Sequence, residues 1–107
     1  MNKIKILFDS YHLYHLPQFD PVINLISKDD MFEVFHSTCS ENKKEEVELS
    51  LSILKSKPGE LIFADSEIER IKKIKKLDLD VFICGWSRYP INQFVSDKAL
   101  VGMIYHG

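Results

Sequence analysis

His12 and His15 stand three residues apart in the stretch "YHLYH". Trp86, Ser87 and Arg88 are consecutive in "GWSRYP", and His106-Gly107 ends the chain. These residues could do chemistry. A histidine with its ordinary pKa of about 6.5 can act as a general base near neutral pH. Trp86 and Arg88 could stack on and pair with a polar ligand, with Ser87 as a hydrogen-bonding hydroxyl between them. Gly107 could let the chain turn sharply or admit a substrate close to the backbone. His12 and His15 could also share one helical face and, with Cys84 or His106, hold a metal. No ligand spacing here is diagnostic, so loop histidines are favoured and no metal is expected. Trp86 can equally cover a sheet edge, and Arg88 can equally be a surface cation.

The elements that must position these residues follow from the hydrophobic pattern. Lys3–Asp9, Phe32–Ser37, Glu60–Ala64, Asp80–Cys84 and Leu100–Tyr105 read as strands. Between them lie helical stretches. Asp20-Pro21 reads as an N-cap and first helical residue, with a turn from Pro17 before it and the helix ending near Lys28. Lys43–Lys57 follows, capped by Ser40 or Asn42 and stopped by Pro58-Gly59. Ser66 caps a third helix whose buried stripe is Ile68, Ile71, Ile74 and Leu77. Ile91–Asp97 reads as a short helix. His36 falls mid-strand and reads as structural.

Strands alternating with helices predict a Rossmann-like or flavodoxin-like α/β domain. It has three layers and a five-stranded parallel sheet in the order 3-2-1-4-5. Ligands in such sheets bind beyond the carboxyl ends of the strands, where the strand order reverses. His12 and His15 follow strand one, Trp86, Ser87 and Arg88 follow strand four, and His106 and Gly107 end strand five. All are therefore expected at one edge. His106, leaving a buried strand at the crevice, could serve there as a general base or could equally be structural.

Composition narrows the function. The 107 residues are 45% apolar and carry 14 basic and 16 acidic residues, a net charge of -2. Nucleic acid is a poor partner for that charge. Apolar runs are too short to span a bilayer, and no signal peptide is visible. Cys39 and Cys84 read as reduced thiols in a cytoplasmic protein. The first loop, "DSYHLYHLPQFDP", has no glycine, so neither a dinucleotide turn nor a P-loop is present and no cofactor is expected. A receiver domain is also a poor match. Asp65 loosely fits its middle aspartate, while the acidic pair and the lysine are missing.

Two longer runs carry a family resemblance: "KILFDSYHLYHLPQFDPVINLISKD" and "DVFICGWSRYPINQFVSDKALVGMIYHG". Together they resemble the N-terminal portion of the CDP-glycerol glycerophosphotransferase family. Those are teichoic-acid-type enzymes with a GT-B-like pair of Rossmann domains. His106-Gly107 matches the start of the family's His-Gly motif. The resemblance implies that His106 is the catalytic base for an acceptor hydroxyl. It implies that His12, His15, Trp86, Ser87, Arg88 and Gly107 bind substrate. Residues 1–107 would be the acceptor-side domain of a longer enzyme, cut short at Tyr105-His106-Gly107. A nucleotide-activated donor would bind the second domain, and the acceptor would be a small molecule or glycan. The full-length protein would be cytoplasmic, at the inner face of the cell membrane as a peripheral protein. The alternative is a non-catalytic flavodoxin-like binding or interaction module.

Overall fold

The computed structural model describes residues 3–10, 16–85, 94–96 and 98–103. Among these residues five strands alternate with three helices: β1 (Ile4–Ser10), α1 (Leu16–Ile26), β2 (Phe32–Thr38), α2 (Lys44–Lys55), β3 (Glu60–Ile62), α3 (Glu67–Leu77), β4 (Val81–Cys84) and β5 (Leu100–Met103). The strands form one sheet in the order β3-β2-β1-β4-β5. Every pairing is parallel. This is the expected Rossmann-like or flavodoxin-like arrangement. The expected helix over 91–97 falls largely outside the described residues.

The period of two along each strand divides the core. Ile6 and Phe8 of β1 and Val34 of β2 pack with Phe19 and Ile23 of α1. Leu7, Phe35 and Phe82 face the other way and pack with Ile74 of α3, Leu79, Phe94 and Val95. Lys57, just past α2, forms an ion pair with Asp20 of α1, so α1 and α2 share a face. Right-handed crossovers explain the division. The connections β1-α1-β2-α2-β3 travel outward over one face, and α3 returns over the other to reach β4.

Three local expectations are corrected. α1 begins at Leu16 and holds Pro21 inside it, so Asp20 is not its cap. Pro17 takes the second helical position, where a missing N–H costs no helical bond. The N-cap of α2 is Lys43, without a side-chain capping bond, and neither Ser40 nor Asn42 occupies that position. Glu45 and Glu46 in its first turn complement the helix dipole instead. In α3 the N-cap is Ser66 as expected, its hydroxyl accepting from Glu69 N–H at 3.2 Å. The buried stripe differs, however. Ile68 is 68% exposed, while Arg70 is completely buried with Ile74.

His36 lies in β2 with no exposed surface. Its Nε2 is 2.6 Å from the Pro58 carbonyl and so donates to it, which leaves Nδ1 a buried acceptor without a partner. Gly59 makes this turn possible. Its φ is +112°, and a Cβ there would lie 2.7 Å from the Val34 carbonyl oxygen. Burial holds the imidazole pKa below 6.5, against the opposing effect of the Pro58 bond. The unfolded chain therefore takes up a proton before the folded one does. Stability from His36 is whole above pH 6.5 and is lost as pH falls below it. Urea midpoints measured between about pH 7 and pH 5 should fall in the wild type and fall less in His36→Leu. Equal slopes for the two proteins would contradict this account.

Candidate functional site

The carboxyl ends of three adjacent strands meet at one edge of the sheet. Asp9 of β1 pairs in register with Cys84 of β4, and Cys84 pairs with Met103 of β5. The strand order reverses between β1 and β4. In sequence, the segments 11–15, 86–93 and 104–107 follow these ends. The expected site residues His12, His15, Trp86, Ser87, Arg88, His106 and Gly107 all lie outside the described residues.

What the described residues supply at this edge is a buried ionic network. Asp9 closes the α3-facing side of β1 and is fully buried, as is Arg70. Arg70 Nη1 donates to Asp9 Oδ1 and, at 2.7 Å, to Ser37 Oγ at the end of β2. Its Nε and Nη2 donate to Glu67 Oε2 and Oε1 at 2.6 and 2.9 Å. The Phe94 ring lies 5.1 Å from the guanidinium carbon. One side chain thus ties the end of β1, the end of β2, the first turn of α3 and the segment before β5.

The chemistry of this network is restrictive. The guanidinium already holds two carboxylates and a hydroxyl, and its planar fork suits such bidentate pairing. A phosphate arriving there would have to displace them. Asp9, Glu67 and Arg70 together carry one negative charge, which also disfavours an anion on that face. Cys39, just past β2, is buried. Desolvation pushes its thiol up to about 12, helped by a hydrogen bond to Glu67. It therefore keeps its proton at neutral pH and is no nucleophile. Cys84 is likewise buried, and neither cysteine forms a disulfide. Among the described residues no group of three or more His, Cys, Asp or Glu could hold a metal.

A concavity of about 300 Å³ is lined by Phe63, Ala64, Asp65, Glu69 and Lys73, beside the outer strand β3. It is distant in the strand order from the reversal point, and the Lys73 amine donates to the Phe63 carbonyl at 2.8 Å. Elsewhere among the described residues, the side-chain oxygens Ser10 Oγ, Gln18 Oε1 and Ser40 Oγ are buried without hydrogen-bond partners.

Arg70 was hidden in the sequence by its neighbours. It sits among Lys72, Lys73, Lys75 and Lys76, which suggest a solvated face. The usable signal is residue type. Only Arg70 and Arg88 among the 14 basic residues are arginines. A charged Asp9 ending the apolar run "IKILFDS" is the matching half. Comparison of the chain with protein-family models, curated proteins and solved structures gives no match.

Proposed function

We propose that these residues form the acceptor-side domain of a GT-B-like transferase of the CDP-glycerol glycerophosphotransferase kind. It would act in cell-envelope polymer synthesis at the inner face of the membrane. The observation that supports this most is the adjacency of the β1, β4 and β5 carboxyl ends at the strand reversal. The sequence segments that follow those ends carry His12 and His15, Trp86 to Arg88, and His106 with Gly107. In this reading His106 takes the proton from an acceptor hydroxyl as that oxygen attacks the donor. For a CDP-glycerol donor the attack falls on the β-phosphorus, the new P–O bond forms, and CMP leaves with the electrons of the broken one. His12, His15, Trp86, Ser87, Arg88 and Gly107 hold the acceptor. The donor's nucleotide belongs to a second domain, because transfer needs donor positioning and charge stabilisation as well as a base.

The test is a transfer assay with CDP-glycerol and a glycerol phosphate acceptor. A protein that joins residues 1–107 to a second domain should release CMP, and the 107 residues alone should not. CMP release by the 107 residues alone would overturn the division of labour.

A non-catalytic binding module is the second reading. One observation favours it: Asp9, Arg70 and Glu67 hold one another, and Cys39 keeps its proton. No helix among the described residues is long and apolar enough to cross a membrane.

A further inference from the structure

α1 differs from the other two helices in its charge. Asp20 is the only charged residue among its eleven. α2 carries five charged residues and α3 seven. Asp20 is paired with Lys57, and that ion pair turns one flank of α1 toward α2. The helical period places the rest. Phe19 and Ile23 point into the core, so Val22 and Leu25 lie on the flank away from α2. Both are exposed, Leu25 to 76%. Pro21 and Asn24 complete an outer surface without a charge. A helix that faces water normally carries charged residues there.

The flank bearing Val22 and Leu25 looks over β4 and β5. Ile6 of β1 pairs with Val81, and Val81 pairs with Leu100, so these three share one level and one face of the sheet. Val81 and Ile83 pack against the cluster of Phe8, Phe19 and Ile23 and are only half-buried. Leu100, on the same face, is 69% exposed. Ile83 spreads over Gly102, where a Cβ would lie 2.8 Å from its Cδ1. The floor and one wall of this groove are therefore apolar. Among the described residues no helix covers the floor. α2 is on the other flank of α1, and α3 is on the other face of the sheet. Strands lie about 4.8 Å apart and packed helices about 10 Å apart, so one helix beside α1 would cover β4 and β5 together.

We propose that the helix is α1 of a second copy of this chain. The axis relating the two copies is a twofold parallel to the strands, and each α1 lies on β4 and β5 of the other protomer. The two α1 helices then run side by side between two sheets, with their Val22 and Leu25 flanks in contact. Charge selects this occupant. A twofold interface sets a patch against its own copy, so a charged patch repels itself. This patch holds no charge except Asp20, which is already paired. The same geometry leaves α2 outside the shared layer, with its five charged residues in water. The surface lies away from the carboxyl edge and does not depend on the transferase reading.

Sedimentation equilibrium of the 107-residue chain tests this over about 1–500 μM protein, a range that spans weak and ordinary interfaces. The expected mass rises to twice the 12.5 kDa of the chain. Leu25→Lys and Leu100→Glu should each weaken the dimer roughly a hundredfold or more, because each buries a charge against apolar surface. Both positions are exposed within one protomer, so the unfolding temperature of the separated chains should hold. Mixed in equal amounts, the two variants should recover dimer, since the introduced ammonium and carboxylate then meet across the interface. Leu49→Lys, at an exposed position of α2, should leave the dimer intact. A chain that stays monomeric over the whole range overturns the proposal and gives the face to a different molecule. A dimer that survives both Leu25→Lys and Leu100→Glu overturns it as well, by placing the interface elsewhere. Variants that stay monomeric when mixed would overturn the placement of α1 on β4 and β5.

Discussion

Arg70→Met should cost about 3–5 kcal/mol of folding stability, enough to unfold much of a domain whose total stability is of ordinary size. The expected loss is large because of what the substitution leaves behind. Asp9 is fully buried, and Arg70 Nη1 is a donor to its carboxylate. Without the guanidinium, that carboxylate stays in the core with its main counter-charge gone. Glu67 and Ser37 lose the Arg70 donors as well. Arg70→Lys should rescue little, since one ammonium cannot reach two carboxylates and a hydroxyl in the planar fork geometry. The double substitution Asp9→Asn with Arg70→Met should cost less than the sum of the two single ones. Urea midpoints for the four proteins test this. Additive losses would mean that the two groups do not act as a pair.

The second large effect concerns rate. In the two-domain transferase proposed above, His106→Ala should lower kcat by roughly a hundred- to ten-thousandfold, the usual loss when a general base is removed. The donor dissociation constant should hardly change, because the donor is assigned to the other domain. His36→Ala is the control. His36 is a buried β2 residue tied to Pro58, so its loss should appear in thermal stability. Near wild-type turnover in a folded His106→Ala enzyme would remove His106 from the mechanism. Abolished donor binding would move it to the phosphate-holding side of the active site.

The sheet was legible because strands and helices alternate and the strands are short apolar runs. Lys3–Asp9 and Phe32–Ser37 differ from the observed β1 and β2 by a residue at their ends. The parallel order follows from right-handed crossovers once five strands are recognised. What stayed hidden was set by tertiary contact. The stripe Ile68, Ile71, Ile74 and Leu77 has a spacing of three, whereas a helix turns every 3.6 residues, so Ile68 rotates out to solvent. Arg70 rotates in, and a burial pattern based on hydrophobicity cannot rank an arginine above an isoleucine. Its burial is decided by Asp9, 61 residues earlier, which no local window contains. The α1 start differs from its sequence pattern for another reason. Asp20-Pro21 has the form of a helix start, but Pro17 four residues before fills that role first.

The central place of β1 also governs how the chain folds. One of its neighbours, β2, arrives after a single helix, but the other is β4, and the Lys5 amide donates to the Asp80 carboxylate across 75 residues. Closing that loop costs entropy before any contact repays it, so the mean sequence separation of contacts is raised and folding is slowed. During synthesis, β1, β2 and β3 can assemble as an open half-sheet. The β4-facing edge of β1 then waits, with its backbone groups unpaired, until residues 81–84 have left the ribosome. In that interval the apolar segment from Ile4 to Phe8 is the part of the nascent chain most in need of a chaperone.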